Sequence, residues 1–145
     1  KICKSGSATD IKNPSITNRP RYDKADFVVP LGSSYSFLQM KGVSINNCKL
    51  DIEDPIIATE TQLTRGRVND HPTQSRLYLA ADFDFLILAI DPIIVHQCNQ
   101  LGEQDPLMWE YYKIPTSVLS THHIYINRLS SLQRFTYSYL QQFKI

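Results

Sequence analysis

Residues 80–91, AADFDFLILAID, form the most apolar stretch of the chain and decide the fold class. Successive residues of a β-strand point to opposite faces, and from Phe85 to Ile90 both faces are apolar. A strand that is apolar on both faces is typical of the buried centre of a sheet. We therefore predict a central strand here, as part of a long β signal over residues 76–90, with Asp82 and Asp84 marking its solvent-facing start.

Asp82 and Asp84 also have a chemical interpretation. Two carboxylates that share one face of a strand can hold Mg²⁺ or Mn²⁺ against a phosphate. The D-x-D triplet is common by chance, however, and the residues that follow it resemble a core strand. A metal-dependent enzyme that uses this pair is therefore the least favoured function. We predict no catalytic residue, no bound metal, no cofactor and no small-molecule substrate.

The flanks of this stretch predict further strands. Asp91-Pro92 is a turn dipeptide, which predicts a hairpin to a strand at residues 93–95. Alternation over residues 35–40 predicts another strand, and residues 27–29 predict a short one that Pro30 closes.

The C-terminal part has a different period. Thr116 or Ser117 can cap a helix because a hydroxyl accepts a bond from the free amides of the first turn. Apolar residues at helical spacing then predict one amphipathic helix, and a strand interpretation of residues 135–139 accounts for fewer of them. The stripe consists of Leu129, Leu132, Phe135, Tyr139, Leu140 and Phe143. The predicted fold class is α+β: a mostly antiparallel sheet with one or two packing helices at the C-terminal end.

A length of 145 residues corresponds to one domain. Residues 1–24 are polar, contain two prolines and show no lasting periodicity, so we predict an extended basic arm followed by a single α+β domain at 25–145. The longest apolar run is far shorter than the ~20 residues of a membrane-spanning helix. Three widely spaced cysteines without C-x-x-C predict reduced thiols in a reducing compartment rather than a zinc ribbon or redox dithiol.

The net charge of +1 hides an uneven distribution. Residues 1–24 hold six bases and two acids, residues 25–112 five bases and twelve acids, and residues 113–145 four bases and no acid. Basic ends around an acidic middle fit an anionic partner such as nucleic acid or lipid head groups. They fit equally well a chain whose ends pack on its own middle or on a neighbour's.

Basic residues are clustered inside the chain at one place, the polar segment 65–76. Two guanidinium groups on a glycine-containing loop can bind phosphates bidentately, and the arm supplies further bases. The alternative is a solvated loop with scattered ion pairs. The predicted nucleic-acid or head-group contacts are Lys12, Arg19, Arg21, Arg65, Arg67 and Arg76.

Two other groups of residues are candidates for a binding role. His96 and Cys98 would share a face of the predicted strand as soft metal ligands, but no second pair at ligand spacing lies nearby. The aromatic run 109–112, WEYY, can stack nucleic-acid bases. Such a run is more typical of the packing layer of a sheet or of a protein interface.

The order of these features from Tyr22 to Phe143 resembles that of the small matrix proteins of bornaviruses, which are non-segmented negative-strand RNA viruses. The resemblance rests on pattern and order over about the last 120 residues. It is carried by VVP (28–30), SYSFLQMKGVSI (34–45), LYLAADFDFLILAIDPIIV (77–95) and INRLSSLQRFTYSYLQQF (126–143). The polar, proline-containing arm departs from it.

The resemblance implies a compact α+β protein that forms homo-oligomers under a viral envelope and binds anionic membrane, single-stranded RNA or nucleoprotein. We therefore predict a non-enzymatic structural protein at the inner face of the virion envelope and inside the host cell. Weak basic contacts multiplied over an oligomer would supply the avidity. The alternative is an accessory subunit of a larger assembly, whose arm threads over partners.

Overall fold

The structure is a computed structural model that describes residues 3–4, 24–62, 76–100, 102, 104 and 107–145. Within these residues it has seven β-strands and two short α-helices. The strands are β1 (Cys3–Lys4), β2 (Phe27–Leu31), β3 (Ser34–Gly42), β4 (Ile56–Glu60), β5 (Phe85–Ile90), β6 (Glu110–Pro115) and β7 (Leu132–Thr136). The helices are α1 (Pro92–Cys98) and α2 (Tyr137–Leu140).

Five strands form one sheet in the order β1-β2-β3-β5-β6, and β4 pairs with β7 in a second, two-stranded sheet. Only the β3–β5 pair is parallel; the other pairs between these strands are antiparallel. Gly32, at a φ of 62°, lies in the β2–β3 turn, where a side chain would be strained. The predicted α+β class, with a mostly antiparallel sheet and a helix at the C-terminal end, is confirmed.

The core lies on one face of the five-stranded sheet. Leu86, Leu88 and Ile90 of β5 are completely buried there, as are Tyr112 and Ile114 of β6. Ile87 is buried on the opposite face, where Phe85 and Ala89 are half-buried. The central strand predicted from residues 80–91 is therefore present, between β3 and β6, but it begins only at Phe85.

The residues before β5 are not a strand. Residues 80–82 form a 3-10 turn, and Leu77 and Leu79 each make one isolated bridge, to Gln62 and Arg128. The backbone thus bends where the long β signal predicted an extended chain, so Asp82 does not lie on a strand face.

The strand predicted at residues 93–95 is wrong, because these residues belong to α1. Asp91 caps this helix: its Oδ1 accepts the backbone N–H groups of Ile93 and Ile94 at 3.0 and 3.1 Å. Pro92 occupies the first helical turn, where its missing N–H costs nothing. The same dipeptide that suggested a turn is therefore a helix start.

The prediction of one amphipathic C-terminal helix is wrong for the first half of that segment. Residues 132–136 form β7, in which Phe135 pairs with Ile57 of β4. Helix α2 starts only after Thr136, whose Oγ1 accepts the N–H of Tyr139 at 3.3 Å. The predicted hydroxyl cap at Thr116 or Ser117 is also wrong: a 3-10 turn starts there without a side-chain cap, and Thr116 Oγ1 instead donates to the Phe83 carbonyl at 2.8 Å.

Two residues of the predicted arm, Cys3 and Lys4, form β1 and pair with Val28 and Phe27. Residues 5–23 lie outside the described residues, so the rest of the arm stays a prediction.

Candidate anion-binding site

The structure describes one of the six predicted contact residues. Arg76 is half-buried and lines a cavity of about 360 Å³. The other five, Lys12, Arg19, Arg21, Arg65 and Arg67, lie outside the described residues. Their joint surface therefore stays a prediction, and the cavity at Arg76 is the part of it that can be described.

This cavity, named here the Arg76 cavity, lies where β3 and β4 end. Its described lining consists of Lys41, Gly42, Val43, Ser44, Glu60, Gln62 and Arg76. Gln62 pairs with Leu77 in an isolated antiparallel bridge, so the segment 63–75 leaves and rejoins the described chain beside the cavity. That segment carries Arg65 and Arg67.

Lys41 is the second cation of the cavity. Its Nζ donates to the Gln62 carbonyl at 3.2 Å and lies 5.6 Å from the centre of the Tyr78 ring. Burial lowers the pKa of Lys41, and the carboxylates of Asp26 and Glu60 partly offset this effect. The cavity therefore brings together Lys41, Arg76 and the carboxylate of Glu60.

Sequence patterns did not reveal Lys41. It is the last residue but one of β3, after four consecutive buried residues and Met40, and nothing in the local sequence distinguishes it from an ordinary solvated lysine. The pairing of Gln62 with Leu77 brings Arg76 back to the end of β3, and that pairing joins residues on either side of the polar segment.

Asp82 and Asp84 bind backbone amides. Asp84 Oδ2 accepts the N–H of Phe37 at 2.8 Å, and its own N–H donates to the Phe37 carbonyl at 2.7 Å. Asp82 is 1% exposed, and its Oδ2 accepts the N–H of Leu79 at 2.8 Å. These contacts hold the start of β5 in place, so the aspartates do precede the central strand. The predicted solvent-facing start is wrong for Asp82, which is buried.

The described residues contain no group of three or more His, Cys, Asp and Glu side chains that could hold a metal ion. His96 and Cys98 lie on α1 rather than on a strand, and residues two apart on a helix do not face each other. The His96 ring instead bonds through Nε2 to the Gly102 carbonyl at 2.9 Å. The shared face predicted for this pair is therefore wrong.

The aromatic run 109–112 is divided between core and surface. Tyr112 is completely buried, whereas Trp109 and Tyr111 are 53% and 39% exposed. The two exposed rings stack, with centres 6.3 Å apart. Together with the exposed Leu107 and Met108 they form an apolar surface at the outer strand of the five-stranded sheet, named here the β6 edge patch. Both outcomes agree with the packing-or-interface interpretation.

Glu110 ties the C-terminal residues to the sheet. Its Oε1 accepts the hydroxyls of Tyr112 and Tyr137 at 2.5 and 2.7 Å, and its Oε2 pairs with Lys144 Nζ at 2.8 Å. Burial alone raises the pKa of Glu110, but the bonds from Lys144, Tyr112 and Tyr137 together outweigh it and hold the pKa below its ordinary value. The sequence did not predict this cluster, which joins residues up to 34 positions apart.

Comparisons with protein-family models, curated proteins and solved structures find no match for this chain. Among the described residues, none of the helices has the length and apolar character to cross a membrane.

Proposed function

We propose that the protein is a non-enzymatic structural protein of the matrix type, which self-assembles and binds an anionic membrane surface or an RNA nucleocapsid at the inner face of a viral envelope. The observation that carries the anion-binding part is the Arg76 cavity. It brings the cations of Lys41 and Arg76 to the place where the basic segment 63–75 joins the described chain.

The β6 edge patch supports self-assembly. Four large apolar side chains, at positions 107–109 and 111, lie just before and at the start of β6 with 39–63% of their surface exposed. Large exposed apolar surfaces mark interaction sites, and Trp, Tyr and Met are enriched at protein interfaces. A second copy of the chain that covers this patch would bury it.

The roles of Asp82 and Asp84 support a structural rather than an enzymatic function. Carboxylate oxygens that accept backbone N–H groups stabilise the fold. A catalytic metal that used the two Oδ2 atoms would have to compete with those bonds.

Anion binding is tested with the purified full chain and two probes: vesicles of phosphatidylcholine with and without phosphatidylserine, and single-stranded RNA. Arg76→Gln removes one cation of the cavity, and Arg134→Gln is the matched control, because Arg134 is exposed on β7 and does not line the cavity. A basic residue near an anionic surface contributes roughly 1 kcal/mol, which is about a fivefold change in affinity.

We expect binding of at least one probe, weakening as salt rises, and a loss of about fivefold in Arg76→Gln alone. Failure to bind both probes at low salt contradicts the anion-binding part. Light scattering on the same samples gives the mass in solution. A monomer at all concentrations contradicts self-assembly and favours the accessory-subunit alternative.

A further inference from the structure

A second cavity lies on the face of the five-stranded sheet opposite the core. It has a volume of about 410 Å³, within the range of pockets that bind small molecules. Apolar side chains of β2, β3 and β5 make up most of its walls. The described lining consists of Val29, Pro30, Leu31, Ser36, Leu38, Phe85, Ile87, Lys113 and Ile145.

Two polar groups interrupt this apolar lining. Ser36 is 7% exposed, and its Oγ is buried without a hydrogen-bond partner in the described part of the chain. A buried hydroxyl without a partner costs free energy, so it marks a place where a ligand atom could be bound. Lys113 supplies a cation: its Nζ lies 4.4 Å from the centre of the Phe85 ring, and no described carboxylate forms an ion pair with it.

The strand register brings both groups to the same face of the sheet as Phe85. Lys113 pairs with Ile87, so its side chain reaches back along β5 to lie over the Phe85 ring. Phe85 itself pairs with Leu38 of β3. Ser36 precedes Leu38 by two residues and therefore lies on the same face. The ammonium thus lies over the ring from β6, and the hydroxyl lies on the same face of the neighbouring strand β3.

We infer that this cavity binds a single-chain carboxylic acid. Its alkyl chain would lie against the apolar walls. Its carboxylate would lie beside Phe85 and pair with Lys113, and a carboxylate oxygen would face the side of the cavity where the Ser36 hydroxyl lies. The inference does not rest on the proposed function, because the two cavities share no residue of their described linings.

Calorimetric titration of the full chain with sodium octanoate, decanoate and dodecanoate, each below its micelle concentration, tests this site. We expect saturable binding that tightens about fourfold for each methylene added until the cavity is full. Decan-1-ol, which has the same chain without the charge, should bind more weakly than decanoate. Shifts of the Val29 and Ile87 methyl signals in NMR spectra would place the ligand in this cavity.

Lys113→Met keeps an unbranched side chain one atom shorter and removes the charge at an exposed position, so folding should be retained. We expect this variant to bind decanoate up to about fivefold more weakly and to bind decan-1-ol unchanged. Lys49→Met is the matched control, because Lys49 is also exposed and lies outside the cavity. The inference is overturned if no fatty acid binds saturably, if decanoate and decan-1-ol bind equally, or if both variants respond alike.

Discussion

Asp84 and Phe37 exchange two hydrogen bonds: the Phe37 N–H donates to Asp84 Oδ2 at 2.8 Å, and the Asp84 N–H donates to the Phe37 carbonyl at 2.7 Å. The next residues of the two strands, Leu38 and Phe85, begin the parallel β3–β5 pairing. A slip of one residue would turn every side chain to the other face. The carboxylate of Asp84 therefore helps to fix the register of the central strand.

Removal of this carboxylate should destabilise the fold. We expect Asp84→Ala to lower the free energy of unfolding by about 2 kcal/mol, because the Phe37 N–H loses its charged acceptor. Asp84→Asn should lose less, since its amide oxygen can still accept the bond. Urea unfolding measures both, with Glu53→Ala as the control at an exposed acidic residue. Equal stability of Asp84→Ala and Glu53→Ala would contradict the role of Asp84.

The wild type and Asp84→Asn also test the metal hypothesis. Calorimetry with Mn²⁺ should give no binding heat with the wild type or with Asp84→Asn, because the Asp84 carboxylate is engaged with Phe37. Binding heat in the wild type that is absent in Asp84→Asn would support the hypothesis of a metal-dependent enzyme.

The central strand and the α+β class could be predicted because both follow from local apolar patterns, above all at residues 85–90. Asp91-Pro92 was ambiguous, since Asp followed by Pro is typical of turns and also of the first residues of a helix. The β-branched residues that follow, Ile93 to Val95, favoured a strand, but the cap and the burial of Ile94 and Val95 in the core favour the helix.

Strand β7 could not be predicted from the local sequence pattern. The apolar residues of segment 132–136 fit a helical stripe, yet the segment pairs along its whole length with β4, more than 70 residues earlier. That pairing satisfies its backbone hydrogen bonds, and tertiary context of this kind overrides weak local preference. The Arg76 cavity and the Glu110 cluster depend on long-range contacts in the same way, so the sequence predicted Arg76 but neither Lys41 nor Glu110.

The cap of α1 leads to a third prediction. Asp91→Ala leaves the N–H groups of Ile93 and Ile94 without their acceptor and should cost about 1 kcal/mol of unfolding free energy. Asp91→Ser should retain most of the stability, because serine is also a strong cap. Thermal unfolding of the three proteins measures this order. An Asp91→Ser variant as unstable as Asp91→Ala would show that the cap is not the cause.

The Glu110 cluster should make stability depend on pH. The pKa of Glu110 is lower in the folded protein than its ordinary value of 4.5, so the unfolded chain takes up this proton more readily. Its contribution is therefore present above about pH 4.5 and is lost as the pH falls through the folded-state pKa.

Urea unfolding at pH 7 and at pH 3 compares the wild type with Glu110→Gln. At pH 7 the variant should be less stable by about 1–2 kcal/mol, because it loses the charge that Lys144 pairs with. At pH 3 the difference should shrink. Glu53→Gln, at an exposed position, should show neither effect. If the difference in unfolding free energy between wild type and Glu110→Gln is the same at both pH values, the charge of Glu110 does not contribute to stability as proposed.

Cys98 should react unusually slowly with alkylating reagents. Burial, with smaller contributions from the charges of Glu110 and Cys48, raises the pKa of its thiol to about 11. The thiolate is the reactive form, so at pH 8 the reaction with iodoacetamide should be roughly 100-fold slower than in the urea-unfolded chain. Peptide mass spectrometry follows this residue separately. A barrier to access alone would give a rate that levels off near pH 9, whereas a raised pKa predicts a tenfold increase per pH unit up to pH 10.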